Sequence, residues 1–163
     1  MPFPDVVFGA AYLRWVLHLI TDWRAVIAEV VRIVRPGGAF VANLGAYGGA
    51  HEEIRTRFEE FSGYGTTPVG LDWSGAGELD AELDRHGATR RILPPAYEYF
   101  EEPLEEFVRG IEEDRYSWTW PVPENVRLGA AAEVRLWAQE RFDSLVGSHR
   151  SSIVATWRAY DLP

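Results

Sequence analysis

The sequence predicts an α/β fold built on a pair of parallel, buried strands, and three observations carry that expectation. Two short apolar runs, residues 6–13 and 39–44, bracket a segment with helical periodicity. Within that segment Trp23, Val26, Ile27, Val30, Val31 and Val34 recur on one face, while Arg24, Glu29, Arg32 and Arg35 lie off it. Pro36-Gly37-Gly38 then stops the helix and turns the chain. A continuous apolar run fits a strand covered on both faces of a parallel sheet. Strand, helix and strand at these lengths make a right-handed crossover unit.

The elements follow in order. Thr21 or Asp22 is placed to cap the first helix. Residues 45–49 form a glycine-rich loop carrying Tyr47, and a short helix follows over 52–61 with Ile54, Phe58 and Phe61 inward. Residues 62–77 read mostly as loop, 78–86 as a helix ended by Gly87. Residues 89–93 and 97–100 are strand-like and interrupted by Pro94-Pro95. Pro103 is placed to begin a helix burying Leu104, Phe107, Val108 and Ile111. A long helix spans 124–145, with Gly129 as its weak point, and residues 151–160 alternate as a final strand. The 163 residues read as one domain, 1–163, in which 101–148 form a helical insertion placed to cover a substrate.

Composition excludes several classes. Hydrophobic residues make up 47% and aromatic residues 13%, which suits a packed core rather than a disordered chain. The formal net charge is −9, and all 16 basic residues are Arg. That balance argues against a general nucleic-acid or acidic-membrane binder, since neutralising phosphates needs a basic surface. With no Cys, disulfides and thiolate chemistry are excluded; with no Lys, so are Schiff-base and phosphate-loop lysines. The apolar runs are too short to span a bilayer, so the expected location is the cytoplasm. His51, His86 and His149 are dispersed, and no spacing suggests a metal site.

The opening quarter resembles the type 11 group of class I S-adenosylmethionine-dependent methyltransferases. The matching phrases are Pro2-Phe3-Pro4-Asp5, Phe8-Gly9-Ala10-Ala11, Arg14-Trp15-Val16-Leu17-His18, Asp22-Trp23 and the run from Glu29 to Gly38. The resemblance implies a partial Rossmann-like methyltransferase fold: strands four to seven of the usual seven, the last antiparallel, with inserted helices. In that family a glycine-rich turn and two acidic residues grip the cofactor upstream of the Pro-Phe-Pro-Asp phrase, positions this sequence does not contain. Met1 stands where the family usually has Leu, as in an amino-terminally truncated domain, and Gly9 where it commonly has Asp.

The resemblance also implies the cofactor, S-adenosylmethionine, and a reaction, methyl transfer to a small-molecule acceptor. Ligands of open α/β sheets bind past the carboxyl ends of the strands. Leu13, Arg14 and Trp15 are therefore candidate cofactor-binding residues, and His18 a candidate catalytic base with an ordinary pKa near the physiological range. Packing of Trp15 and His18 beneath the next helix is the competing reading. Tyr47, Tyr97, Tyr99, Trp118 and Trp120 are candidate substrate-binding aromatics, and ordinary core packing is the alternative for each. A half-sheet that starts at a central strand leaves an apolar edge over residues 6–13. Such an edge invites a second copy or a partner chain. The alternative function is accordingly a non-catalytic, methyltransferase-like remnant that dimerises or binds a partner there. A small-molecule binding module using the aromatic residues is a third reading.

Overall fold

A computed structural model describes residues 2–65, 69–72 and 76–163. The chain divides into two compact units: Met1–Gly45, Pro68–Ala96 and Ala155–Pro163 form the first, Ala46–Thr67 and Tyr97–Val154 the second. Among the described residues no helix is long and apolar enough to cross a membrane.

In the first unit β1 (Phe8–Arg14) pairs in parallel with β2 (Val34–Gly49), as the crossover pattern predicts. The connecting helix α1 (Trp23–Ile33) is capped by Asp22, whose carboxylate accepts from the Ala25 amide at 3.3 Å. The sheet order is β1-β2-β5-β3, so β5 (Ser148–Asp161) lies between β2 and β3 (Thr89–Ile92). β5 runs antiparallel to β3, with Thr89 opposite Asp161 and Ile92 opposite Arg158. The expected antiparallel last strand is thus inserted into the sheet.

Local expectations need correction. Residues 45–49, expected as a loop, continue β2 to Gly49. α1 stops at Ile33, before the expected Arg35, and Val34 is already extended at φ −87° and ψ 134°. Pro36 explains this: a proline disfavours helical backbone at the residue before it and offers no amide to continue the ladder. The buried stripe is Trp23, Ile27, Val30 and Ile33. Residues 6–13 were expected to be covered on both faces, yet Val6, Val7 and Tyr12 are 56%, 51% and 56% exposed. β1 has β2 on one side only among the described residues, so part of its apolar surface stays open. Its aromatic residues compensate locally: Phe3 packs edge-on to Phe8 at 5.1 Å, and Tyr12 stacks on Trp157 at 5.6 Å.

The segment before β1 is pinned to α1 by one cation. Arg32 pairs with Asp5 and with Glu29, and donates to the Phe3 carbonyl at 3.0 Å. The Arg32 guanidinium holds the Glu29 carboxyl down to about 2. Behind the sheet, α3 (Ala76–Arg85) buries Leu79 and Leu83 into a core shared with Ile27, Phe40, Leu71 and Tyr160. Asp80 fastens α3 to the strands: it accepts from Tyr160 Oη at 2.8 Å and Arg158 Nη1 at 2.7 Å, and pairs with Arg90. Parts of the loop expected over 62–77, residues 66–68 and 73–75, lie outside the described residues.

The second unit contains α2 (Ala50–Ser62), β4 (Ala96–Pro103, from Tyr97 on), α4 (Leu104–Glu112) and α5 (Glu124–Phe142). Pro103 occupies the N-cap of α4, and Leu104, Phe107, Val108 and Ile111 are buried, as expected. They pack with Ile54 and Phe58 of α2 and Ala131, Val134 and Ala138 of α5. α5 runs unbroken through Gly129 but ends at Phe142, short of the expected residue 145. Two guanidinium groups tie α5 to α4. Arg135 reaches Glu105 at 2.7 Å and Glu112 at 2.8 Å. Arg127 donates to the Ile111 carbonyl at 3.0 Å and to the Glu112 carbonyl, at the end of α4.

Candidate functional site

In the first unit, the carboxyl ends of the two parallel strands converge. Arg14 closes β1 opposite Asn43 of β2. The chain then turns sharply at Trp15, whose φ of 54° lies in the left-handed region. That conformation is uncommon for a bulky side chain and is found where surrounding structure enforces it, functional sites included. A short 3-10 turn, Leu17–Leu19, follows and carries His18. The backbone of residues 70–71 seals this turn: the Gly70 amide donates to His18 O at 2.9 Å and the Leu71 amide to Leu17 O at 3.1 Å.

The result is a small recess of about 10 Å³, lined by Trp15, Val16, Leu17, His18, Asn43, Leu44, Gly45 and Leu71. It has room for one water-sized group and no more. Burial pushes the His18 imidazole below its ordinary pKa, so the ring is neutral at physiological pH. Its lining therefore carries no formal charge. Of the candidates read from the sequence, Trp15 and His18 line the recess; Leu13 packs partly against the core, and Arg14 is exposed.

Asn43 was not singled out from the sequence. It is 4% exposed, and its Oδ1 has no hydrogen-bond partner among the described residues. The signal was present: a lone amide in the apolar run Phe40-Val41-Ala42-Asn43-Leu44, at the end of a strand where ligands bind.

The candidate aromatics all belong to the second unit. Tyr47 stacks on His51 at 5.9 Å, and burial, with the Glu102 charge, raises its pKa. Tyr97 and Tyr99 are 58% and 59% exposed and stack on each other at 6.4 Å, with the Arg150 guanidinium 4.6 Å from the Tyr99 ring. Trp118 is buried in the core, parallel to Tyr116 at 5.3 Å and edge-on to Phe58 at 5.5 Å. Burial lifts the Tyr116 phenol to about 12. Trp120 is exposed, and its indole donates to the Asp114 carbonyl at 3.3 Å.

Sequence reasoning left His51 aside, yet it joins three elements. Its Nδ1 lies 2.5 Å from Ser151 Oγ and its Nε2 2.6 Å from Glu102 Oε1. Desolvation lowers the His51 pKa, and the Glu102 carboxylate opposes that shift. The order serine, histidine, carboxylate is that of a nucleophile with its base and orienting acid, but the ring is reversed, with Nδ1 toward the serine and Nε2 toward the carboxylate. Ser151 is 2% exposed, however, so its hydroxyl is enclosed rather than presented to a substrate. The trio fastens α2 to β4 and β5. Its partners are 51 and 100 residues from His51, which hides it from any spacing rule.

A parallel β-α-β unit, a last strand inserted antiparallel to its neighbour, and a recess at the strands' carboxyl ends make up a partial Rossmann-like α/β fold. Comparisons with known proteins bear on the fold and on the opening segment. A sequence profile described as a methyltransferase domain matches residues 1–42. A candidate type II methyltransferase from Anaeromyxobacter dehalogenans is similar in structure, with a TM-score of 0.57 at 18% identity over 99% of this chain and 68% of its own. The YcgJ protein of Bacillus subtilis gives a TM-score of 0.52 at 13% identity over 100% of this chain and 68% of its own. A candidate methyltransferase from Bacillus halodurans, BH2331, gives 0.49 at 15% identity over 100% of this chain and 74% of its own. No curated protein matches the sequence. The likeness to class I methyltransferases therefore holds for the partial Rossmann-like fold, and for the sequence over its opening quarter.

Proposed function

We propose that the chain takes part in S-adenosylmethionine-dependent methyl transfer to a small-molecule acceptor. The observation that carries this reading is the recess at the carboxyl ends of β1 and β2, of which Trp15, Val16, Leu17 and His18 lie within the segment that matches the methyltransferase profile. A recess of this size does not enclose the cofactor, but its lining is compatible with the reactive end lying at its mouth. An uncharged amide oxygen and a neutral imidazole do not repel a sulfonium, and no cationic side chain lines the recess. No carboxylate lines it to take a ribose diol, so the fit extends to the reactive end only. When bound, the cofactor supplies an electrophilic methyl group.

The chain's own residues contribute position and a proton acceptor. Trp15 and Leu71 wall the recess, which orients an acceptor atom along one line of approach. The neutral His18 ring accepts the proton that an acceptor hydroxyl or amine releases as its new bond to carbon forms. Leu13 and Arg14 precede the recess on β1 and lie outside its lining; in the second unit, taken by itself, the exposed rings of Tyr97, Tyr99 and Trp120 offer apolar or cation-binding surface. Calorimetric titration with S-adenosylmethionine tests the proposal. Binding at millimolar cofactor or below is expected, with His18→Gln retaining binding while turnover falls about 10²-fold or more. No heat at millimolar cofactor would remove the enzymatic reading for this chain.

One observation favours a second reading. β1 is paired on one side only among the described residues, and Val6, Val7 and Tyr12 leave apolar surface beside its open edge. Residues 6–13 would then hold a second copy of the chain, with or without catalysis. Light scattering after size exclusion is expected to give a dimer mass for the native chain and a monomer mass for Tyr12→Lys. A stable native monomer argues against this reading.

A further inference from the structure

We propose that Asn43 determines the class of acceptor: its side-chain oxygen receives a hydrogen bond from a hydroxyl or amine group, and the recess rejects an anionic end. The inference rests on the methyl-acceptor reading of the same recess and goes beyond it by naming the chemistry of the bound group.

The argument begins with an unsatisfied atom. Asn43 Oδ1 is buried and has no partner among the described residues, in a side chain only 4% exposed. The orientation of the amide is set by its neighbour, because Nδ2 faces the Leu44 carbonyl at 3.5 Å and the reverse orientation would bring two oxygens together. The oxygen is therefore the atom left over. Buried polar atoms are nearly always paired, so an acceptor enclosed without a donor marks a place where something else supplies one.

Charge and size narrow the donor. Burial keeps the His18 imidazole neutral, and the other lining residues are uncharged. A carboxylate or phosphate would meet no counter-charge there, and its oxygens would face Asn43 Oδ1 as acceptor against acceptor. A hydroxyl or an ammonium has the missing hydrogen. The free volume of about 10 Å³ admits one heavy atom with its hydrogens, which is the end group of an acceptor and not its body. Asn43 lies opposite Arg14 in the strand ladder, so the oxygen is held by regular backbone rather than by a loop.

The test is solution NMR on the full chain without cofactor, with side-chain carbonyl and amide signals of Asn43 observed. Methylammonium and acetate are the probes, each titrated into the native chain, Asn43→Leu and Asn43→Asp. Methylammonium is expected to shift the Asn43 signals and to bind Asn43→Leu at least 10-fold more weakly, while acetate leaves the native signals unmoved. Asn43→Asp keeps an acceptor of the same shape and should retain methylammonium binding, which separates a lost acceptor from a damaged fold. Acetate binding as well as methylammonium, or equal binding by Asn43→Leu and the native chain, overturns the proposal. A native chain whose Asn43 signals ignore both probes, with one water in the recess, overturns it too. Failure here with cofactor binding intact leaves the methyl-transfer reading standing; cofactor failure with methylammonium binding intact removes that reading and leaves the donor site.

Discussion

Gly70→Ala is expected to unseat the turn that carries His18 and to destabilise the first unit by about 3 kcal/mol, the upper part of the usual overpacking range. A Cβ at this position would run into the Leu17 carbonyl and come within 2.5 Å of the Ile20 carbonyl. Both are backbone atoms, so no side-chain rotation relieves the contact. The clash also breaks the two hydrogen bonds that seal the turn, Gly70 N to His18 O and Leu71 N to Leu17 O. Leu71, 1% exposed, would lose its seat in the core at the same time. Urea unfolding followed by far-UV circular dichroism reads the stability, and the His18 ring signals in NMR read the site. An unchanged midpoint with unmoved His18 signals would show that the turn tolerates the methyl group.

Asp80→Ala is expected to cost about as much, roughly 3 kcal/mol, for an electrostatic reason rather than a steric one. The Asp80 side chain is 13% exposed, and its carboxylate serves Arg158, Arg90 and the hydroxyl of the fully buried Tyr160. Alanine leaves two guanidinium groups without their counter-charge and a buried hydroxyl without its acceptor. Burial, reinforced by Asp80, already holds the Tyr160 phenol well above its ordinary pKa. Asp80→Asn keeps an acceptor for Tyr160 and should lose less than half as much. Equal urea midpoints for the native chain and Asp80→Ala would show that the network adds nothing to stability.

What was legible in the sequence was what repeats locally. The stripe Trp23, Ile27, Val30 and the set Leu104, Phe107, Val108, Ile111 announce helices because the period of the backbone is printed in the residues. The parallel pairing of β1 with β2 followed from a helix of the right length between two apolar runs. What a run of apolar residues does not encode is its neighbours. Residues 6–13 have the composition of a covered strand, yet β1 stands at an edge among the described residues. The site was legible in the same measure. Trp15 and His18 could be placed because strand ends collect ligands, whereas the His51, Glu102 and Ser151 trio is assembled by tertiary pairing across 100 residues. Asn43 falls between these cases: its residue type was visible, but only the packing around it leaves the oxygen unmatched.

The clasp between α4 and α5 has a consequence for alkaline conditions. Its cations, Arg127 and Arg135, are guanidinium groups, and hydrogen bonds to Glu105 and Glu112 hold the Arg135 proton still more firmly. An ammonium would surrender its charge on a rise in pH that leaves a guanidinium untouched. In a chain with no lysine, no cation that joins these helices is an ammonium that base could discharge. Loss of the helix pair in strong base would therefore begin in the core, at buried phenols such as Tyr116, and not at the clasp.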